Sequence, residues 1–198
     1  MQIQPWNLVF VIGLIVFSCI RGVFIQRAKG KEKTVSRAGV LEKTLLAMGF
    51  LVIPLLILYL FTPWLAFADY RLPVFAPWCG TALMLAALWL VYRAHADLGQ
   101  NWSVTLELRQ GHQLVTQGVY RSIRHPMYAS FWLLSLAQGL LLENWLAGWY
   151  SFVGFAFMYF LRVPREEQMM CESFGQEYRD YMRRTGRVIP RFNVGRGA

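Results

Sequence analysis

Five stretches of the sequence contain no charged residue: residues 1–20, 44–68, 72–92, 126–142 and 144–161. A helix that crosses a bilayer needs about 20 predominantly apolar residues, with about 17 as the lower limit, so each stretch predicts a crossing. The last two are the shortest. They meet at Glu143 and Asn144, which predicts a tight helical hairpin that crosses and returns. The second stretch carries Pro54 and Pro63, which neighbouring helices tolerate in a membrane, with a kink expected near Pro54. The third has Trp78 and Trp89 near its two ends, the depth at which interfacial aromatics sit. The expected fold class is therefore all-α, a polytopic membrane protein of five transmembrane helices.

Between the apolar stretches the pattern changes. RAKGKEKTVSRAG, residues 27–39, has too few apolar residues for a core of its own and reads as a solvated connection. Residues 103–108 alternate weakly, which allows a short extended segment. Pro164 suits a helix start, with Glu166 and Glu167 in the first turn where the helix dipole favours acids. Met170, Phe174, Tyr178 and Tyr181 then recur at helical spacing, predicting a C-terminal amphipathic helix over the cytoplasmic ends of the bundle. The chain reads as one integral membrane domain, residues 1–198: three N-terminal crossings in 1–92, then a core in 93–198 made of a polar loop, the hairpin and the last helix.

Charge orients this arrangement. Segments 21–43, 93–124 and 162–198 hold seven, four and eight of the 20 Lys and Arg, and with five crossings all three fall on one face. The bias towards positive cytoplasmic loops puts the N-terminus outside and the C-terminus in the cytoplasm. At 56% hydrophobic and 16% charged residues the composition is too apolar for an ordinary soluble domain. The net charge of +9 is accounted for by basic residues beside crossings, and no nucleic-acid module accompanies it. Cys19, Cys79 and Cys171 are scattered, without a zinc or disulfide pattern.

Residues 112–128, HQLVTQGVYRSIRHPMY, concentrate the signals of a polar site just before the hairpin. His125 precedes Pro126, so extended chain turns into helix there, with His125 in a cap-like position. The first N–H groups of that helix lack partners and favour an anion such as the carboxylate of a metabolite, a preference that Arg121 and Arg124 reinforce. Tyr120 and Tyr128 offer flat apolar faces with a hydroxyl tip, suited to an adenine or ribose at a membrane edge. His95 and Asp97 do not share a helix face, and His95 reads as an interfacial histidine. No G-x-G-x-x-G follows a predicted strand, so a nucleotide-like cofactor would bind to membrane helices and their cytoplasmic loops.

HxLVxxGVYxxxRHPxY, followed by an apolar hairpin and by EExxMxxxFGxEYxxYxxRxxRxIP, resembles the isoprenylcysteine carboxyl methyltransferase family of integral membrane enzymes over about residues 98–190. The resemblance implies S-adenosylmethionine as cofactor, with S-adenosylhomocysteine as product. It also implies donor-binding positions at His112, Gln113, Leu114, Val115, Tyr120, His125, Pro126, Met127 and Tyr128 and at Glu166 or Glu167, the latter two otherwise read as helix capping. Arg162, four residues before Glu166, matches an arginine that handles the acceptor, and Arg162 and Glu167 are the expected catalytic pair. The implied acceptor is a prenylated or other lipid-like carboxylate, in the plasma membrane of a prokaryote or the endoplasmic reticulum of a eukaryote. Two other classes remain open at this point: an NADPH-dependent membrane sterol-type reductase, and a non-catalytic membrane scaffold.

Overall fold

The computed structural model describes residues 4–28, 33–36, 51–99, 107–109 and 114–191. Among them are five helices: α1 (Pro5–Ala28), α2 (Val52–Phe61), α3 (Ala76–Leu98), α4 (Pro126–Leu142) and α5 (Trp145–Arg184). Two short strands, β1 (Lys33–Ser36) and β2 (Glu107–Arg109), pair antiparallel with Val35 opposite Leu108 and Ser36 opposite Glu107. The segment 27–39, expected as a plain connection, thus contributes a strand. The weak alternation at 103–108 ends in β2, and residues 100–106 lie outside the described residues.

Helix α4 is the centre of the bundle, packed against α3, α5 and α1. The core joins Phe10 and Phe17 of α1, Met84, Ala87 and Val91 of α3, and Leu134, Ala137 and Leu141 of α4. Large apolar side chains also point outward: Leu8, Ile12, Leu85, Trp89, Val153 and Phe157 are exposed. Helices apolar on both faces have lipid as their solvent, and their association depends on close packing more than on removal from water. The α4–α5 crossing shows this directly, since a Cβ added to Gly148 would lie 3.2 Å from the Gly139 backbone.

Three described helices, α1, α3 and α5, are long and apolar enough to cross a membrane. Helix α4, at 17 residues, stands at the lower limit of about 17. Helix α2 is described for 10 residues, and the part of its apolar stretch before residue 51 lies outside the described residues.

The expected hairpin is present, and its tip is fixed by Asn144. Glu143 takes a left-handed conformation (φ 45°) that ends α4. The buried Asn144 side chain then caps α5, its oxygen accepting from the backbone of Leu146 (3.0 Å) and Ala147 (2.9 Å). Its amide nitrogen donates to the Leu65 carbonyl and to Asp69, both at 2.7 Å. One side chain thereby satisfies two helix-end donors and ties the hairpin to the connection after α2.

Helix α5 corrects the reading of the C-terminal region. No separate helix starts at Pro164; one helix runs from Trp145 to Arg184 with Pro164 inside it, and Glu166 and Glu167 lie in its interior rather than in a first turn. Proline removes one backbone bond, but Tyr159, Val163 and Glu167, one turn apart, are all buried, and that packing carries the helix through. The interruption comes at Gly175 (φ 56°, ψ −124°), a backbone conformation that excludes most side chains. It breaks the stripe between Phe174 and Tyr178.

Replacing Asn144 by Ala is expected to destabilise the protein by about 2 kcal/mol, from a lost cap and a buried carbonyl left without its donor. Thermal unfolding in detergent reads this as a clear fall in midpoint.

Candidate functional site at the first turn of α4 and the charged part of α5

Three segments converge on the first turn of α4. The first is the loop 114–125, which enters through a 3-10 turn at Gly118–Arg121. Asp97, at the end of α3, accepts the Val119 N–H at 2.9 Å while paired with Arg93, and so pins that turn. Gly118 (φ 59°) is required here, because a Cβ would overlap the Asp97 carboxylate. Tyr120 is buried beneath, its hydroxyl donating to the Ala94 carbonyl (3.2 Å) while its own carbonyl accepts from Tyr181 (2.7 Å).

The second segment is α5 beyond its uncharged stretch, which ends at Leu161. The third is the strap 185–191 that follows α5. Ile123 and Gly186 form a parallel bridge, and the N–H groups of Arg124 and His125 donate to the carbonyls of Gly186 and Arg187, both at 2.9 Å. The strap therefore fixes the backbone on which the site side chains stand.

Glu167 is the common partner of these segments. It is buried, and its Oε1 accepts from Arg124 Nε at 2.6 Å and lies 3.2 Å from His125 Nε2, while its Oε2 accepts from Arg187 Nη2 at 2.6 Å. Arg124 also donates to the Thr185 carbonyl at 2.6 Å. Burial raises the Glu167 carboxyl pKa, but the hydrogen bonds from His125, Arg187 and Arg124 outweigh it and hold the pKa at about 2. The same hydrogen bond raises Arg187 above its ordinary value. Glu167 is thus a permanent anion locked between cations.

Glu166, the next residue, faces differently. Its Oε2 accepts from the Tyr128 hydroxyl at 2.7 Å, its Oε1 is 3.9 Å from His125 Nδ1, and its side chain keeps 29% exposure against 6% for Glu167. Tyr128 packs edge-on against His125 (5.6 Å) and Tyr159 (5.9 Å). The result is an accessible carboxylate beside a hydroxyl, backed by aromatic walls. Arg162 lies one turn before Glu166 on α5, with its Nε buried.

Of the residues singled out from the sequence, His125, Tyr128, Glu166 and Glu167 meet in one cluster. Pro126 is buried at the first position of α4, and Met127, half-buried, faces α1 through a 3.5 Å contact with Arg21 Nη1. Leu114 and Val115 are half-buried ahead of the 3-10 turn, whereas His112 and Gln113 lie outside the described residues. His125 does occupy the cap position, but its ring makes no cap hydrogen bond and turns to Glu167 instead. His95 is buried with Nδ1 2.7 Å from the Val91 carbonyl and its ring stacked on Phe24. Sequence reasoning missed the part played by Arg187, although that residue stands in the RxxRxIP pattern. It also read Arg124 as a ligand for an external anion, whereas its anion is internal. Among the described residues no group of three or more His, Cys, Asp and Glu side chains is placed to hold a metal ion.

Residues 80–172 match the model of a family described as isoprenylcysteine carboxyl methyltransferase. A probable protein-S-isoprenylcysteine O-methyltransferase of Oryza sativa subsp. indica is 25% identical over 194 residues, covering 94% of this chain and 96% of the relative. The cobalt-zinc-cadmium resistance protein CzcN of Cupriavidus metallidurans is 30% identical over 123 residues, 61% of this chain and 56% of the relative. A solved structure of a eukaryotic intramembrane Ras methyltransferase, an isoprenylcysteine carboxyl methyltransferase, superposes with a TM-score of 0.59 over 95% of this chain and 68% of that one, at 23% identity. The two share a fold.

Glu167→Gln is expected to lower stability at neutral pH by about 3 kcal/mol, because Arg124 and Arg187 lose their common anion. The depressed carboxyl gives stability that is present above its ordinary value of 4.5 and is lost as pH falls through about 2. Chemical unfolding at a series of pH values should accordingly show the gap between wild type and variant closing across that window.

Proposed function

We propose that this chain, whose residues 80–172 match the model of the isoprenylcysteine carboxyl methyltransferase family, transfers a methyl group from S-adenosylmethionine to the carboxylate of an isoprenylated cysteine or similar lipid-like acceptor, at the cytoplasmic face of the membrane. The observation that carries this reading is the division of labour between the paired glutamates. Glu167 is fully engaged by Arg124, His125 and Arg187, while Glu166 and Tyr128 present a carboxylate and a hydroxyl on a partly open surface. Such a surface fits a donor that carries an ammonium and ribose hydroxyls. His125 and Glu167 act on it by positioning, and the loop from His112 to Val115 completes the donor site.

S-adenosylmethionine, when bound, supplies a methyl group on a cationic sulfur. The acceptor carboxylate is already ionised at neutral pH, so this chain needs to provide no strong base. Transfer of that methyl group to a carboxylate would turn a cation and an anion into a neutral ester and a neutral thioether. Loss of charge is favoured in a site of low polarity, which the Tyr128, Phe155 and Tyr159 walls provide. Arg162 holds the acceptor carboxylate in line with the methyl group, and its guanidinium suits a two-oxygen anion. A prenyl chain reaches the site sideways through lipid, and burial of its methylenes adds binding energy remote from the reacting atoms.

The topology that goes with this reading has five crossings, the N-terminus outside and the C-terminus in the cytoplasm. In it, loop 114–125, the charged part of α5 and the strap share the cytoplasmic side.

Titration calorimetry of the detergent-purified protein is expected to detect S-adenosylhomocysteine and not NADPH. Tyr128→Phe and Glu166→Gln should each weaken that binding roughly tenfold, the effect of one hydrogen bond to a charged group. Arg162→Ala should abolish turnover and leave donor binding in place. Binding of NADPH alone would replace this reading with the reductase one.

A further inference from the structure

Away from the glutamate cluster, where α4 ends, the protein encloses a half-open cavity of about 740 Å³. The 17 residues of α4, at about 1.5 Å each, set it about 25 Å from His125. Asn7 at the start of α1, Tyr59 at the end of α2, Asp69, Tyr70 and Arg71 of the connection that follows, and Glu143 at the hairpin tip all line it. Its volume falls within the roughly 300–1,000 Å³ of small-molecule sites, and the methyl-transfer reading makes no use of it.

The polar groups of this cavity are only partly engaged. Asp69 Oδ1 accepts from Asn144 Nδ2 at 2.7 Å and Glu143 Oε1 from the Leu72 N–H at 3.1 Å, which leaves each carboxylate its second oxygen. Asn7 is 4% exposed, and the partner its side chain has among the described residues is the Tyr59 hydroxyl. An amide offers two donors and an acceptor oxygen, and a buried one is ordinarily satisfied, so Asn7 brings unused hydrogen-bonding capacity to the cavity wall. Arg71 is exposed and pairs with neither carboxylate, although all three line the same cavity.

Depth identifies the ligand class. The connection that forms one wall turns Trp64, Phe67, Val74 and Phe75 outward, all exposed. Aromatic and apolar side chains at the end of a spanning bundle sit at the level of lipid headgroups. A ligand at that level meets two carboxylates and a guanidinium, and so is matched by a headgroup that carries both signs of charge. A primary ammonium has N–H donors for the carboxylates and the Asn7 oxygen, and a phosphate suits the guanidinium. A quaternary ammonium has no N–H to donate, and a glycerol headgroup has no positive charge.

We propose that this cavity binds the headgroup of a zwitterionic phospholipid with a primary amine, its ammonium held by Asp69, Glu143 and Asn7 and its phosphate by Arg71. The bound lipid joins the start of α1, the end of α2 and the hairpin tip, and stabilises the bundle at the end remote from the glutamate cluster. The site is independent of the reaction proposed above.

The test titrates the full-length protein, delipidated in detergent, with dioctanoylphosphatidylethanolamine, its choline and glycerol counterparts, and soluble glycerophosphoethanolamine. Native mass spectrometry counts bound lipid, and thermal unfolding reads stabilisation. The wild type should bind one ethanolamine lipid and gain in midpoint with its concentration, the choline and glycerol lipids being about tenfold weaker. Glu143→Gln keeps an acceptor for the Leu72 N–H, yet should lose about tenfold in affinity for the ethanolamine lipid and with it the preference over choline. Arg71→Gln, at an exposed position, should weaken the ethanolamine and choline lipids alike, and it decides alone if Glu143→Gln does not fold. Equal affinity of the wild type for all three lipids, or a folded variant that binds as the wild type does, overturns the site. Glycerophosphoethanolamine bound as tightly as the ethanolamine lipid overturns the lipid as its occupant.

Discussion

The polar cluster where α4 begins depends on Glu167 being buried as an anion. A carboxylate in that position is costly unless it is paired and hydrogen-bonded. Its partners come from two separate places: Arg124 and His125 from the loop before α4, and Arg187 from the strap after α5. The network therefore does in three dimensions what no single helix could do, joining a loop, a helix interior and a chain-terminal segment around one charge. It is also why Glu166 is free to face elsewhere. Consecutive helical residues point about 100° apart, so with Glu167 turned inward its neighbour is carried to the rim, against Tyr128.

The division has a chemical consequence. The locked carboxylate ties the loop, the helix and the strap together, and in the proposed reaction the rim carboxylate is the one that meets the cationic donor. Arg124 and Arg187 are committed to Glu167, and Arg162 stands one turn before Glu166 on α5.

Much of this was legible in the sequence. The uncharged stretches marked the helices because lipid requires apolar residues on the outside as well as the inside, and the Glu143–Asn144 junction marked the hairpin. The extended-to-helix switch at His125 and Pro126 fell where expected. What the sequence did not disclose was non-local. Pro164 carries a local signal for a helix start, and it was overridden by the packing of Tyr159, Val163 and Glu167 along one face. His125 stands in the expected cap position, but nothing local shows that a carboxylate 42 residues away claims its ring. Arg187 could be seen in a motif but not connected to Glu167, because that contact depends on the strap folding back as a parallel bridge to Ile123. The pairing of β1 with β2 was likewise invisible in segments of four and three residues.

The central claim is that the carboxylate of a lipid-like acceptor takes the methyl group. The most direct test incubates the purified protein with S-adenosylmethionine labelled in its methyl group and N-acetyl-S-farnesylcysteine, extracts the lipid and treats it with mild alkali. The account predicts label in the extracted lipid that alkali releases as methanol, the behaviour of a methyl ester. Label that resists alkali would identify a different acceptor atom, and an unlabelled lipid beside a protein that binds the donor would contradict the proposed acceptor outright.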